Sequence, residues 1–210
     1  MGSANGSAPR VSFASGELAG KVVRQCREVM VTKEQFFTEN AERIGECALA
    51  MARAFDGGGR LYVMGNGGSS CDAAHLAVEF THPIIEKRPA LPALALTIDT
   101  ALLTAVGNDR DFSLAFLEQL ELLARPGDIA VGISTSGKSA NVVRALQAAR
   151  EKGLLTVGFS GRDGGRFPAV CEYCFTVPSF SIPRIQETHG TLLHILWDLI
   201  HVIRGEEEVL

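Results

Sequence analysis

"MGNGGSSCDAAHLAVEF", residues 64–80, joins a glycine-rich loop to a helical pattern. Just upstream, "RLYVMG" (60–65) is a short apolar run that reads as a buried strand. Strand, small-residue loop and helix form half of a βα unit, and the unit recurs. "ALALT" (93–97), "DIAVGI" (128–133), "LLTVGFS" (154–160) and "YCFTV" (173–177) are further short apolar runs. All but the last are followed by Gly, Asp or Ser and then by a helical pattern. This alternation predicts an α/β fold, a parallel sheet covered by helices on both faces. "IQETHGTLLHILWDLIHVI" (185–203) reads as a long closing helix, apolar on one side.

Ahead of the first strand, Glu17 to Phe55 is helical in pattern, with a break expected near Thr32. Phe36, Ala41, Ile44, Ala48, Met51 and Phe55 recur mostly on one face, and "DGGG" (56–59) stops the helix. "MGSANGSAPR" (1–10) reads as a flexible tail. The expected organisation is a tail over 1–15 and one domain over 16–210.

Composition narrows the function classes. A chain of 210 residues suits one domain with a sizeable core. The formal net charge is -4 and no basic block stands out, which argues against a nucleic-acid partner. No apolar run reaches transmembrane length. The cysteines, Cys26, Cys47, Cys71, Cys171 and Cys174, are odd in number and scattered, with no signal peptide ahead of them. Reduced thiols and a cytoplasmic location are therefore expected. Cys171 and Cys174 form a lone C-x-x-C at the edge of a strand, read as structural rather than as a redox or metal pair.

In open α/β sheets ligands bind at the carboxyl ends of strands. Two of these ends are rich in small hydroxyl residues, "GNGGSS" (65–70) and "STSGKSANVVRAL" (134–146). Glycine lets backbone N–H groups approach an anion, the following helix adds its positive end, and hydroxyls add donors. A single loop of this kind is equally a turn with an N-cap. Two on one sheet favour a phosphate ester, and Ser134, Thr135, Ser136 and Ser139 around Gly137 suit it. Lys138 is expected to face solvent. Neither loop fits a nucleotide fingerprint.

At these residues the chain resembles the sugar isomerase (SIS) domain family, and more closely the bacterial phosphoheptose isomerases. The resemblance runs from about residue 35 to 203. It is carried by "GNGGSSCDAAHLAVEF", "AVGND" (105–109), "GISTSGKSANV" (132–142), "GRDGG" (161–165) and "RIQETHGTLLHIL" (184–196). It implies a three-layer αβα sandwich with a flavodoxin-like five-stranded parallel sheet and N-terminal helices, assembled as a homotetramer. The apolar face of residues 34–55 has no obvious place on a sheet covered on both faces, so these helical N-terminal residues are expected to pack between subunits. The implied reaction converts sedoheptulose 7-phosphate to a heptose 7-phosphate. Asn66, Gly67, Ser69, Asp99, Ser134, Thr135, Ser136, Ser139 and Gln186 match substrate-binding positions. Glu79 matches the catalytic base and His194 the acid. His75, Glu79, Gln186 and His194 match the zinc ligands of metal-bearing members.

Residue chemistry bears on these roles. His75 and Glu79, at i,i+4, share a helical face with Cβ atoms about 6 Å apart, a spacing open to one zinc ion or to a plain surface pair. Moving a proton between adjacent sugar carbons needs a base at the carbons and an acid or Lewis acid at the oxygens. Gln186 and His194 are about 12 Å apart along a regular helix, so spacing alone pairs Gln186 with His189. The resemblance selects His194 and leaves His189 and His201 structural or interfacial. Asp198, i,i+4 from His194, is a candidate to orient its ring.

One stretch departs from the family. Close relatives carry an arginine shortly after the glutamate, in a stretch like T-G-R. This chain has "THPIIEKRP" (81–89), with His82 and Pro83 there and Lys87 or Arg88 as possible substitutes. Two other readings of the fold are a protein-binding adaptor of the replication-initiator-associating kind and a sugar-phosphate sensor. The adaptor relatives lack the glutamate and the last-helix histidine, and a sensor would not need Glu79.

Overall fold

The computed structural model describes residues 15–84 and 87–208. Helix α1 (Ser15–Asp56) leads into β1 (Leu61–Gly65) and α2 (Gly68–Thr81). Then come β2 (Ala93–Ala95), α3 (Thr100–Asp109), a short 3-10 turn (Phe112–Leu114), α4 (Leu117–Leu123), β3 (Ile129–Ser134) and α5 (Ala140–Glu151). β4 (Leu155–Gly161), α6 (Phe167–Val170), β5 (Tyr173–Val177) and α7 (Ile182–Ile203) complete the chain. The strands lie in the order β2-β1-β3-β4-β5, all parallel. This is the flavodoxin-like order expected.

The central strands explain the unbroken apolar runs. Every residue of β1 and β3 is buried, because helices cover both faces. Met51, Leu76, Phe80, Leu192 and Trp197 belong to the core under α1, α2 and α7. Phe116, Leu120, Val142, Leu146 and Phe167 form the core of the other face, under α4, α5 and α6. Edge strand β2 is shorter than the run 93–97, although the Leu96 N–H still donates to the Val63 carbonyl at 2.8 Å.

The expected break near Thr32 does not occur, and α1 is one helix of 42 residues. No Gly or Pro lies between Gly20 and Gly45, and the Thr32 hydroxyl donates to the Glu28 carbonyl at 3.0 Å instead of capping a new helix. Phe36, Ile44, Cys47, Ala48, Met51, Ala52 and Phe55 are buried, whereas Ala41 is exposed. Among the described residues nothing packs over Ala41. The rest of the apolar face of 34–55 does have a place within the chain, in the core shared with α2, α7 and the sheet, contrary to the expectation that it is left for a subunit contact. The tail expected over 1–15 falls largely outside the described residues, and Ser15 is already helical. α7 starts at Ile182, three residues earlier than its pattern suggests, with Pro183 in the first turn, where a missing N–H costs nothing. Ion pairs Arg184–Glu28 and Arg204–Asp56 tie α7 along α1. Among the described residues no helix is long and apolar enough to cross a membrane.

Cys171 is buried against Gly158, and burial pushes its thiol up, as suits a structural residue at the start of β5. His189 is fully buried and donates to the Ser160 carbonyl at 2.9 Å, the structural role expected. Burial disfavours its charged form and lowers its pKa from 6.5 to about 4. The unfolded chain therefore binds this proton more readily than the native one. The stability that neutral His189 contributes is complete above pH 6.5 and is lost as pH falls toward about 4. Replacing His189 with Gln should flatten the decline in urea-unfolding free energy across that window by about 3 kcal/mol. An unchanged slope would remove His189 as the cause.

Candidate active site

Both small-residue loops lie at the carboxyl edge of the sheet, at the ends of adjacent strands β1 and β3. In the first, Gly67 takes φ 54° and no side chain caps α2, which leaves N–H groups at the amino end of that helix without a side-chain partner. Ser69 is buried; its N–H donates to the Asn66 carbonyl at 3.0 Å. In the second, Gly137 takes φ 61°, and a Cβ there would lie 2.0 Å from the Gly164 carbonyl oxygen. Only glycine fits, and "GRDGG" thus serves as the support behind the serine loop.

The hydroxyls of that loop point at one another. Ser134 Oγ is 3.0 Å from Ser139 Oγ and 3.5 Å from Ser136 Oγ. Ser139 occupies the N-cap of α5 yet makes no capping bond with its side chain. Its hydroxyl, bonded to Ser134, can exchange that bond for one to an incoming acceptor. Thr135 is half-buried beside them. Lys138 faces solvent as expected and pairs with Asp163 at 3.1 Å.

The loops are joined by a contact that the sequence pattern does not announce. Asn66 Nδ2 donates to Asn141 Oδ1 at 2.8 Å, and Asn141 Nδ2 donates to Asn66 Oδ1 at 2.9 Å. Asn141, buried in the first turn of α5, also accepts from the Val142 N–H at 3.0 Å. Asn66 is thereby committed to holding the two loops in register. Asp99 caps α3 by accepting from the Leu102 N–H at 2.9 Å; it is exposed at the same edge of the sheet.

α2 and α7 pack side by side, and their seam gathers three of the four expected metal ligands. His75 Nε2 is 3.2 Å from Glu79 Oε1 and 3.3 Å from His194 Nε2, and His194 Nε2 is 4.0 Å from Glu79 Oε1. The ligand atoms all lie within 4.8 Å of one another. In a tetrahedral zinc site with bonds of about 2.0–2.1 Å, neighbouring ligand atoms are separated by about 3.3 Å. Two imidazoles and a carboxylate at this spacing fit that ion. Gln186 borders the same seam at the start of α2, where a Cβ on Gly68 would lie 2.1 Å from its Nε2. It makes no hydrogen bond to the other three among the described residues.

Two auxiliary expectations are corrected. Asp198 does not orient His194; its Oδ1 accepts from Arg88 Nη2 at 2.6 Å. Arg88 does not stand in for the family's arginine, because its side chain is buried, paired with Asp198 and stacked 4.6 Å over the Trp197 ring. Lys87 remains exposed, and residues 85–86 between it and Pro83 lie outside the described residues. Asp72, one turn before His75, carries no sequence pattern that marks it. One of its carboxylate oxygens is buried without a partner among the described residues, and burial raises its pKa against the pull of His75.

Residues 25–161 match the SIS domain family. The chain is 51% identical over 178 residues to the phosphoheptose isomerase of Desulfovibrio desulfuricans, covering 85% of each chain. It is 44% identical over 190 residues to that of Thermodesulfovibrio yellowstonii, covering 90% of this chain and 94% of the relative. This chain belongs to the phosphoheptose isomerase family of SIS-domain proteins. The fold agrees: a phosphoheptose isomerase structure from Neisseria gonorrhoeae superposes with a TM-score of 0.81 at 38% identity. That match covers 87% of this chain and 98% of the other. The protein is thus an isomerase, and a phosphorylated sugar is the substrate class consistent with its family.

The reciprocal amide pair gives a direct test of the loop register. Asn141→Ala strands the buried side of Asn66 and should cost about 1–3 kcal/mol in urea unfolding. Adding Asn66→Ala should cost less than the sum of the two single changes, since both remove one interaction. Strict additivity would show that the pair does not couple the loops.

Proposed function

We propose that the protein interconverts sedoheptulose 7-phosphate and D-glycero-D-manno-heptose 7-phosphate through an enediol, with Glu79 as base and His194 as acid. The observation that carries this reading is the meeting of His75, Glu79 and His194 on the α2–α7 seam, where α2 springs from the first small-residue loop. The two loops sit on neighbouring strands, so an open-chain sugar phosphate can keep its phosphate at Ser134, Thr135, Ser136 and Ser139 while its other end reaches the seam. Asn66, Gly67, Ser69, Asp99 and Gln186 are assigned to the sugar and to the shape of its site by the family resemblance.

The reaction redistributes hydrogen without changing the formula. Glu79 removes a proton from C1 of the ketose, and His194 delivers one to the C2 oxygen, giving the enediol. A proton then leaves the C1 oxygen and one returns to C2, giving the aldose. No oxidant or reductant is required. His75, Glu79 and His194 would hold a zinc ion, with Gln186 as the fourth ligand implied by the family. When bound, it would supply Lewis-acid polarisation of the sugar oxygens. Both histidines offer Nε2 and Glu79 offers Oε1, a donor set borderline metals accept.

Assembly and location complete the reading. The first half of α1 exposes Leu18, Val22, Val23, Met30 and Val31, which supports burial of this half between subunits of a homotetramer. The free thiols suit a reducing cytoplasm. An adaptor role needs neither Glu79 nor His194, and a sensor does not need Glu79.

Incubation with sedoheptulose 7-phosphate, followed by NMR, should reveal the aldose product. Glu79→Gln and His194→Asn should each lower turnover by at least about 10²-fold with the fold retained. Wild-type turnover in both variants would defeat the assignment. Elemental analysis should find one zinc per site, reduced in the same variants. A metal-free protein indifferent to chelators would exclude the ion. Sedimentation should give four times the chain mass, and a stable monomer at micromolar concentration would reject the tetramer.

A further inference from the structure

At the opposite, amino-terminal edge of the sheet lies a cavity of about 320 Å3. Arg53 from the last turn of α1, Arg60 just before β1 and Arg125 just before β3 line it, with Gly57, Gly127 and Asp128. It shares Arg53, Ala54 and Gly127 with an adjoining cleft that adds Arg150 and one carboxylate, Glu172. We propose that this arginine-lined trough is a second anion site, separate from the isomerase site, for a small molecule carrying two or more phosphate groups.

Three observations carry the proposal. First, the charge is unbalanced: the cavity wall carries three guanidiniums and a single carboxylate. That carboxylate is already engaged, since Asp128 Oδ1 accepts from the Arg60 N–H at 2.8 Å and Oδ2 from the Arg125 N–H at 2.7 Å. Among the described residues the guanidiniums of Arg53, Arg60 and Arg125 pair with no carboxylate. Other arginines without a carboxylate partner, such as Arg27, Arg144 and Arg162, do not line this cavity, whereas here three come together on one wall. Second, Asp128 is buried and fixes the backbone at the base of two of the arginines. The fork-shaped donors thus spring from a rigid rim, which suits bidentate phosphate binding.

Third, the simpler explanation covers only part of the cluster. A cation in the last turn of a helix offsets the negative end of its dipole, which accounts for Arg53 on α1 and Arg150 on α5. Arg60 and Arg125 lie in loops and have no such role. Three guanidiniums on one cavity wall make a local positive potential on a chain of net charge -4, and that potential draws an anion to this edge. Three guanidiniums from three backbone segments exceed what one orthophosphate dianion needs, which points to a polyphosphate. The strands separate this trough from the serine loop by about 17–20 Å, so one small ligand cannot fill both. The proposal therefore stands apart from the assignment of the isomerase site.

Calorimetric titration of the full chain with pyrophosphate at low salt should show two classes of site. Arg53→Gln/Arg125→Gln should weaken one class at least tenfold and leave isomerase activity without pyrophosphate unchanged. Ser136→Ala should weaken only the other. Both arginines are exposed, and if the double variant fails to fold, Arg125→Gln alone, in its loop, gives the same reading. In the arginine-dependent class, pyrophosphate should bind at least tenfold tighter than orthophosphate. A single class of site lost with Ser136→Ala, an isotherm unmoved by the arginine changes, or equal affinity for the two anions would each overturn the proposal.

Discussion

The site depends on the packing of α2 against α7. Neither helix alone brings more than two of the three converging groups together: α2 supplies His75 and Glu79, and α7 supplies His194. A slide of one helical turn, about 5.4 Å, would separate them entirely. Apolar side chains such as Leu76, Phe80, Leu192 and Trp197 press the two helices onto the same face of the sheet. Such packing is strong but not directional. The buried Arg88–Asp198 ion pair adds direction, one turn beyond His194, and Arg88 Nη2 also donates to the Glu207 carbonyl at 2.5 Å. Removing one partner of such a pair leaves an unpaired buried charge, at about 3–5 kcal/mol. Arg88 therefore links the segment after α2, α7 and the segment after α7 in one arrangement.

The loops obey a related constraint from the sheet. Because β1 and β3 are neighbours in register, Gly65 beside Ile133, their exits are one strand spacing apart. The Asn66–Asn141 pair bridges those exits, and the Gly137–Gly164 approach supports one of them from behind. The serine hydroxyls are left bonded mainly to one another, bonds that an anion can replace with no loss to the fold. Rigid backbone with re-orientable hydroxyls is the arrangement expected where a site must be preorganised yet vacant before its ligand arrives. The same sheet carries arginines at its other edge, so the two ends of the strands differ in how positive charge is offered: backbone N–H groups and hydroxyls at one, guanidiniums at the other.

The sequence by itself determined the layer architecture and the placing of the loops. Five apolar runs separated by helical patterns leave little choice but a covered parallel sheet, because strands buried on both faces cannot alternate in polarity. The i,i+4 spacing of His75 and Glu79 is likewise a local property of a helix, and both residues stand where that spacing puts them. Local pattern also misled where tertiary context was silent. Thr32 resembled a helix break and is instead absorbed into α1, since its hydroxyl has a carbonyl one turn away and no core contact requires a bend there.

Only the tertiary structure decided which long-range partners meet. Spacing along α7 pairs Gln186 with His189, yet His189 points into the core toward Ser160 and His194 faces α2. Asp198 is as close to His194 in sequence as Glu79 is to His75, yet it turns to a buried arginine 110 residues away. Asn141 left no signal, and Arg88 was legible only as a possible substrate contact, because an asparagine in a first turn and an arginine after a helix are ordinary residues until their partners are known. Periodicity records which face of an element is apolar, a property of a dozen neighbouring residues. The angular position of one side chain against a distant element is set by packing across the whole sheet, and that is not written in any local window.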